Sequence, residues 1–331
     1  MTMQDWQAVR EVIDNNKSFI IFTHISADGD ALSSAFSLAL FLKNRGKDAF
    51  VLLEEEPQSV IKYITEQDVC YAVYEDGKNY GSYDVSISVD TATVDRLGRR
   101  RDIYFSSPVT VYIDHHLSQN SYAQINVCNT QWASCSEGVW EFMCTYGNIE
   151  DKTIAQTVFT GLMTDTGCFA YSNTTQNTHL IAAKVIELCG DQSWQYRQIF
   201  ESIDKSELDL RRIAYSKLEF YNNDTICLLE ITQDEMDQCG ATREQLESFA
   251  PFLRTIRGVR TGIFIKPGDT PCMRRISLRS DGGCNVSRIA ANFGGGGHAC
   301  AAGITYSPEK TGMTFDTFKT RLIEDITTWT E

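Results

Sequence analysis

The first half of the chain alternates short apolar runs with longer segments whose apolar residues recur at helical spacing. Short apolar runs are typical of buried strands, and the longer segments are typical of helices that cover a sheet. The runs predict strands at 18–23, 48–53 and 109–113, and alternation of apolar with polar residues predicts another strand at 84–89. The helical spacing predicts helices at 31–45, 133–147 and 151–163. Because strands and helices alternate, we expect a parallel sheet and a fold of the α/β class.

The second half of the chain has a different pattern. Residues 175–220 have helical spacing throughout, with charged positions between the apolar ones, which predicts a bridge between two domains. Further strands are expected at 225–230, 260–265 and 273–278, and a helix at 286–293 runs into a glycine stretch. We therefore expect a parallel-sheet domain, a helical linker and a smaller α/β domain, over residues 1–190, 191–222 and 223–331.

Three of the predicted strands end at residues that commonly bind metals in proteins. His24, Asp90 and Asp114 each stand at the carboxyl end of a predicted strand. In an open α/β sheet the ligand crevice lies outside the carboxyl ends of the strands. These residues are therefore expected to converge at one edge of the sheet, although they lie far apart in sequence.

Composition and charge narrow the range of partners. The 331 residues carry a net charge of −14, which disfavours binding along a long nucleic acid. Residues 251–290 are an exception, with a local excess of arginine and lysine, and form either a solvated basic face or an anion site for a small phosphorylated ligand. We expect a cytoplasmic protein, because the cysteines are scattered and the sequence has no signal-peptide pattern. We expect no membrane partner, because no apolar run approaches the ~20 residues of a membrane span.

Four of the five histidines stand in three short motifs with acids or glycines. In the first motif, His24 is followed by Asp28 and Asp30, whose carboxylates can face one or two ions. Gly29 is expected to let the backbone bend tightly between them. The alternative is an ordinary turn in which Asp30 caps the helix that follows.

The second motif is Asp114-His115-His116, at the end of a run of β-branched and aromatic residues. Two adjacent imidazoles at a strand end are an unusual structural choice, although a pair of surface histidines in a loop is the alternative. Asp90 and Asp165 stand outside these motifs, and each alone is weak evidence for a metal ligand. The second motif strengthens the interpretation of both as ligands.

The third motif places His298 directly after four glycines, Gly294 to Gly297. A flexible linker is one interpretation. The other is an anion cradle, because the flanks at 289–293 and 299–302 are apolar and predicted to be helical. Backbone N–H groups that open a helix can then bind an anion, with His298 above it.

Together these motifs resemble the DHH phosphoesterase family. The first-half residues His24, Asp28, Asp30, Asp90, Asp114, His115, His116 and Asp165 follow that family's order and spacing. Segments 277–280, 286–290 and 294–303 are similar to the DHH-associated substrate domain, and the last is similar to that of bacterial oligoribonucleases (nanoRNases) that also act on 3′-phosphoadenosine 5′-phosphate. Ala27 and Ser33 stand where the family commonly has proline and glycine, and neither departure removes a ligand.

The resemblance implies two divalent cations, with Mn²⁺ as the first choice and Mg²⁺ or Co²⁺ as alternatives. By position, one ion would be held by His24, Asp28, Asp90 and Asp165, and the other by Asp30, Asp90 and His115, with Asp90 bridging. His116 would face the phosphate, and Asp114 would orient a histidine. Substrate binding by the second domain would use Arg279, Gly295, Gly296, Gly297 and His298.

The resemblance also implies a reaction. The expected enzyme degrades very short oligoribonucleotides in the 3′–5′ direction and dephosphorylates 3′-phosphoadenosine 5′-phosphate. A phosphodiesterase for pApA or cyclic di-AMP is a close alternative, and a non-catalytic nucleotide-binding sensor is an alternative of another class. We expect short oligoribonucleotides or nucleotides as substrates and no long nucleic acid, and a homodimer is left open.

Overall fold

The computed structural model describes residues 3–116 and 121–330. The chain divides into two compact units, Met1–Ser202 and Ile203–Glu331. The predicted linker at 191–222 spans this division, so its residues belong to both units. Among the described residues, none of the helices combines the length and the apolar character that a membrane-spanning segment requires.

The described part of unit 1 contains a parallel sheet of six strands in the order β3-β2-β1-β4-β5-β6. Its strands are β1 (Ser18–Phe22), β2 (Asp48–Leu53), β3 (Cys70–Val73), β4 (Val85–Val89), β5 (Val109–Asp114) and β6 (Ile125–Cys128). Its helices are α1 (Met3–Asn15), α2 (Gly29–Asn44), α3 (Arg101–Tyr104), α4 (Cys135–Cys144), α5 (Lys152–Asp165), α6 (Gln176–Cys189) and α7 (Ser193–Phe200), with 3₁₀ segments at Ser59–Glu66 and Val94–Arg100.

The strand order reverses beside β1, because β2 and β3 lie on one side of it and β4 to β6 lie on the other. Such a reversal opens a crevice at the carboxyl ends of the two strands that flank it. Every residue of β4 is buried, as expected for a strand covered on both faces. A large apolar core contributed by α1, α2, α4, α5 and α6 covers one face of the sheet, and a smaller cluster around Phe22 and Tyr104 covers the other.

Unit 2 is built on a mixed sheet in the order β11-β12-β10-β9-β8-β7. Its strands are β7 (Glu219–Tyr221), β8 (Ile226–Glu230), β9 (Thr261–Pro267), β10 (Arg274–Ser280), β11 (Gly296–His298) and β12 (Ala301–Tyr306). Its helices are α8 (Lys205–Ser216), α9 (Gln233–Cys239), α10 (Phe249–Leu253), α11 (Val286–Asn292), α12 (Pro308–Thr311) and α13 (Phe315–Thr330), with a 3₁₀ turn at Glu244–Leu246. Separate apolar clusters cover its two faces.

The predicted α/β class, the parallel sheet and the second α/β unit are confirmed. Two local predictions are wrong. Residues 175–220 are not helical throughout, because Gly190 adopts a positive φ of 75° after α6 and β7 begins at Glu219. Residues 299–302 do not continue as a helix, since β12 begins at Ala301 and pairs with β10.

Candidate metal centre

His24 lies just beyond the end of β1, with 4% of its surface exposed. Its Nδ1 lies 2.6 Å from the carbonyl oxygen of Ile25, so Nδ1 donates there and the ring orientation is fixed. Its Nε2 then faces carboxylate oxygens of Asp28 and Asp90, at 3.6 and 3.7 Å. A ligating histidine typically has this arrangement, with one nitrogen held by the backbone and the other directed at the ion.

Asp28, rather than Asp30, caps helix α2. Its Oδ1 accepts hydrogen bonds from the backbone N–H groups of Asp30 and Ala31, while its Oδ2 faces His24. Gly29 lies inside the helix and has no left-handed backbone, so the predicted tight bend is wrong. A Cβ at Gly29 would come within 2.5 Å of Thr164 on α5, and glycine is therefore required for the close packing of the two helices.

Asp30 is buried against the N-terminus of helix α4. Its two carboxylate oxygens accept the backbone N–H groups of Cys135 and Ser136, at 2.6 and 2.9 Å. These amides are among the free donors at the start of a helix, where a negative charge is also favoured by the helix dipole. Gly161 of α5 makes room for this contact, because a Cβ there would lie 2.0 Å from Ser136 Oγ and 2.9 Å from Asp30 Oδ1.

Asp90 lies at the centre of the cluster, with a positive φ of 55°. Only a few per cent of non-glycine residues adopt this backbone region, and such strain is concentrated at functional sites. Its Oδ2 faces His24, and its Oδ1 lies 3.4 Å from His115 Nε2. Among the described residues, this buried Oδ1 has no hydrogen-bond partner. Oδ1 also lies 3.4 Å from His116 Nδ1, so one oxygen of this carboxylate faces His24 and the other faces both histidines of the second motif.

Three carboxylates surround His115. Its Nε2 lies 3.4 Å from Asp90, 3.6 Å from Asp165 and 4.0 Å from Asp30. The ligand atoms of Asp30, His115 and Asp165 form one group within 4.8 Å of one another, and those of His24, Asp28 and Asp90 form another. The structure thus places Asp165 beside Asp30 and His115, whereas the resemblance assigns it to the ion held by His24.

Asp114 is fully buried at the end of β5 and holds the second histidine in place. Its Oδ1 accepts hydrogen bonds from the backbone N–H groups of His115 and His116, at 2.6 and 2.8 Å. The same oxygen accepts a third hydrogen bond from the ring Nδ1–H of His116, at 2.8 Å. Its Oδ2 accepts the backbone N–H of Ala92 at 2.6 Å. These hydrogen bonds keep the pKa of Asp114 well below its usual range even though burial opposes ionisation.

The concentration of buried carboxylates strongly shifts the pKa values of the acids and histidines in the cluster. Burial, together with the charges of Asp90 and Asp165, raises the pKa of Asp30 well above its ordinary value. Burial also raises the pKa of Asp165, to about 6. Burial lowers the pKa of His115 and of His116, but the neighbouring carboxylates outweigh this effect and raise the two values to about 9 and about 11. The site therefore has an excess of negative charge that a cation would neutralise.

The distances in the cluster fit a divalent cation. Two atoms bound to one ion at about 2.1 Å can lie at most about 4.2 Å apart. The histidine–carboxylate separations of 3.4–4.0 Å satisfy this limit, and they are too long for good hydrogen bonds. Mixed carboxylate and imidazole ligands without a thiolate suit Mn²⁺ or Mg²⁺. The residues present, including the unpartnered Asp90 Oδ1, thus fit a metal centre.

Sequence reasoning missed a buried arginine that supports this edge of the sheet. Arg100 is fully buried and donates hydrogen bonds to the carbonyl oxygens of Thr23 and Leu52, and to Glu54. It thereby joins the ends of β1 and β2 directly beside His24. Its only sequence signal is the Arg99-Arg100-Arg101 run, which is more typical of a solvated surface.

The glycine–histidine motif lies in unit 2 and does not open a helix. The glycines follow α11, and the last of them form β11, which pairs with β12 in a hairpin. The predicted cradle of helix-opening N–H groups is therefore wrong. Glycine is required at Gly295 and Gly297 because a Cβ would lie 2.2 Å from Gly303 O and 2.5 Å from Ala301 O, respectively, whereas Gly296 has open space.

Arg279 and His298 lie on one face of the unit 2 sheet. Arg279 pairs with Ala301, and Ala301 pairs with His298, so the three residues stand at the same level of adjacent strands. Directly opposed residues project to the same face, while Leu278 and Ala302 project into the core on the other face. Burial lowers the pKa of Arg279. The two proposed substrate residues thus share one face of the unit 2 sheet and are separated by strand β12.

Comparisons with known proteins agree with this architecture. The bifunctional oligoribonuclease and PAP phosphatase NrnA of Thermus thermophilus is 26% identical to this chain, over 97% of this chain and 94% of its own length. The crystal structure of an exopolyphosphatase-related protein from Bacteroides fragilis is 25% identical, with a TM-score of 0.90 over 100% of this chain and 98% of that chain. RecJ of Thermus thermophilus in complex with Mn²⁺ is 12% identical and shares the fold alone, with a TM-score of 0.57 over 98% of this chain and 54% of that chain.

Family models match both halves of the chain. The DHH family N-terminal domain matches residues 18–164, and the DHHA1 domain matches residues 223–324. Together the two matched ranges cover more than half of the sequence, and the first contains the strands whose ends form the metal centre. The chain therefore belongs to the DHH family of phosphoesterases, which are hydrolases of phosphoester bonds.

Proposed function

We propose that this chain degrades very short oligoribonucleotides in the 3′–5′ direction and removes a phosphate from 3′-phosphoadenosine 5′-phosphate. The observation that carries the proposal is the similarity, over nearly the full length of both chains, to a relative named for these two activities. The acidic net charge also disfavours long nucleic acids as substrates.

The proposed cofactors are two divalent cations, with Mn²⁺ as the first to test, since RecJ with the same fold is a complex with Mn²⁺. His24, Asp28 and Asp90 would hold one ion, and Asp30, Asp90 and His115 the other. Asp165 is the remaining ligand, and its neighbours Asp30 and His115 favour the second ion. When bound, paired ions supply an activated nucleophile and neutralise charge on the phosphoryl oxygens.

The protein's own residues would orient the phosphate and stabilise its charge. Asp114 anchors Nδ1 of His116, which leaves Nε2 as the ring nitrogen that can reach a substrate. A protonated His116 would stabilise the negative charge on the phosphoryl oxygens in the transition state. The buried Asp114 keeps this ring in a single orientation, so it acts on the reaction through His116.

Unit 2 is proposed to bind the part of the substrate that lies away from the metals. Arg279 and His298 together offer a cation and an imidazole on one sheet face. The Gly295–Gly297 backbone beside them carries no side chains that would obstruct a ligand. Under this proposal, residues 1–190 carry the chemistry and residues 223–331 bind substrate. Residues 191–222 connect the two and contain α7, α8 and the strand β7.

The test is a comparison of substrates with the purified chain and Mn²⁺. The panel contains pApA, RNAs of two to five nucleotides, a 24-nucleotide RNA, 3′-phosphoadenosine 5′-phosphate and cyclic di-AMP. We expect fast release of mononucleotides from the short RNAs, loss of one phosphate from the bisphosphate and much slower cleavage of the long RNA. Preference for cyclic di-AMP would instead identify a signalling phosphodiesterase, and nucleotide binding without product would identify a sensor.

A further inference from the structure

The segment that follows Asp165 has an unusual backbone. Gly167, Cys168 and Phe169 have consecutive positive φ angles of 54°, 57° and 66°. The left-handed region is unfavourable for residues with a Cβ, and single residues rather than runs normally occupy it. Two non-glycine residues, one of them aromatic, adopt it here directly beside a proposed metal ligand. Strain of this kind persists only where the surroundings enforce it.

The surroundings of this turn do enforce it. The backbone N–H of Tyr171 donates to the carbonyl oxygen of Thr166 at 2.9 Å. The backbone N–H of Phe169 donates to the hydroxyl group of Thr166, also at 2.9 Å. Phe169 stacks on His179 of α6, with ring centroids 5.3 Å apart. The turn is therefore a fixed structure, and His179, which belongs to none of the three histidine motifs, has a packing role in it.

Asn173 closes the segment into a loop. Its Nδ2 donates to the carbonyl oxygen of Asp165 at 3.1 Å and to that of Ala133 at 2.8 Å. Ala133 precedes the start of α4, whose first amides bind Asp30. The loop is thus tied at both of its ends to the framework of the metal centre, and whatever it presents has a fixed position relative to the ligands.

This loop presents the ring of Tyr171. A Cβ built on Gly167 would lie 2.4, 2.5 and 2.7 Å from three adjacent ring atoms, Cζ, Cε1 and Cε2. Nearly equal distances to three ring atoms mean that the ring lies face-on over Gly167. Tyr171 is nevertheless 61% exposed, the largest exposed fraction among the large apolar side chains that the structure describes as exposed. One face of the ring lies over the backbone of Gly167, and most of the side-chain surface is accessible to solvent.

We infer that Tyr171 is a stacking platform for a nucleobase of the substrate. The inference rests on the proposed function, since only a nucleotide substrate brings a base to this site. Bases stack on aromatic side chains irrespective of sequence, because every base has a π-face. An aromatic ring on the fixed loop that follows Asp165 can therefore select nucleotides over other phosphoesters without reading the identity of the base.

The experiment compares Tyr171→Ala, Tyr171→Leu and Tyr171→Phe with the unmodified enzyme. Leucine still covers Gly167 but has no π-face, while phenylalanine retains the π-face and lacks the hydroxyl group. Tyr196→Ala on α7 is the matched control, as an exposed tyrosine of the same unit. The substrates are pApA and two analogues of it, each lacking one of the two bases.

With pApA and Mn²⁺ we expect KM to rise about 5- to 150-fold in the alanine and leucine variants, the range that base–aromatic stacking supports. The phenylalanine and control variants should keep the KM of the unmodified enzyme. With the analogue that lacks the stacked base, all variants and the unmodified enzyme should have the same KM. That analogue also identifies which base is stacked.

Other outcomes distinguish a failure of the stacking inference from a failure of the proposed function. If the unmodified enzyme hydrolyses pApA and the alanine and leucine variants keep its KM, the stacking inference is wrong and the proposed function stands. An equal loss on pApA and on both analogues would show a structural role for Tyr171 and would also overturn the inference. If the unmodified enzyme neither hydrolyses pApA nor binds it in calorimetry with Ca²⁺, the proposed function and the inference both fail.

Discussion

The substitution Asp114→Asn removes one charge and one acceptor without changing the size of the side chain. The carboxylate accepts four hydrogen bonds, three at Oδ1 and one at Oδ2. An asparagine has one acceptor oxygen, which best replaces Oδ1. Its amide nitrogen then lies against the backbone N–H of Ala92, so two donors face each other in a buried position.

The magnitude follows from this geometry. A buried donor left without a partner costs about 1–3 kcal/mol, so the free energy of unfolding should fall by that amount. Loss of the negative charge also lowers the pKa of His116 from its raised value of about 11. Removing a group that orients a site histidine typically costs about 10- to 100-fold in activity or metal affinity, which is the expected fall in kcat.

The assay combines urea unfolding, followed by circular dichroism, with steady-state hydrolysis of pApA at saturating Mn²⁺. Asp95→Asn is the matched control, because Asp95 is highly exposed and its ion pair with Arg101, at 3.8 Å, lies at the surface. The control should change neither quantity. An Asp114→Asn enzyme with unchanged kcat at saturating Mn²⁺ would refute the claim that Asp114 acts through His116.

Three further substitutions test the packing of the site and the role of unit 2. Gly161→Ala should cost about 1–3 kcal/mol of stability and weaken Mn²⁺ binding in calorimetry, because the new methyl group displaces Ser136 and Asp30; unchanged Mn²⁺ affinity would contradict this. His298→Ala should raise KM and leave the Mn²⁺ stoichiometry intact, and loss of the metals with the fold preserved would show that His298 belongs to the metal centre. Gly296→Ala should fold normally, since its position has open space, and it should raise KM because the proposal places substrate beside this backbone; an unchanged KM would contradict that placement.

The position of the metal centre could be predicted because it depends on strand ends. The strand β1 is an apolar run, β4 alternates apolar residues with serine, and β5 is rich in β-branched and aromatic residues. These patterns are visible in sequence, and a parallel sheet places the carboxyl ends of the three strands together. Asp165 was predicted only through the family resemblance, because it follows a helix and a single carboxylate after a helix is a common surface feature.

The errors arise where tertiary packing decides the role of a residue. Asp28 and Asp30 are both suitable helix caps, and only the position of α4 makes Asp30 the residue that binds its first amides. Glycines indicate freedom of the backbone, but Gly29 and Gly161 are required because another helix or side chain lies close. The glycine run was predicted to open a helix, since the pairing of β11 with β12 leaves no periodic pattern in so short a strand.

Arg100 and Asn173 could not have been found from the sequence. Both act through hydrogen bonds to backbone carbonyl groups of segments that lie far from them along the chain. Backbone acceptors are present at every residue and leave no pattern in the side chains. The strained turn at 167–169 is likewise hard to predict, because glycine accounts only for Gly167, whereas cysteine and phenylalanine rarely adopt a left-handed conformation.

The carboxylate–histidine cluster at the ends of β1, β4 and β5 is proposed to bind the metal that the chain needs to hydrolyse phosphoester bonds. The most direct measurement follows hydrolysis of pApA by the metal-stripped protein, with and without added Mn²⁺, for the unmodified chain and for Asp90→Ala. We predict no product without metal, restored turnover with Mn²⁺, and nearly complete loss of turnover in a folded Asp90→Ala variant. Metal-independent hydrolysis, or an Asp90→Ala enzyme with a near-normal rate at saturating Mn²⁺, would contradict the claim.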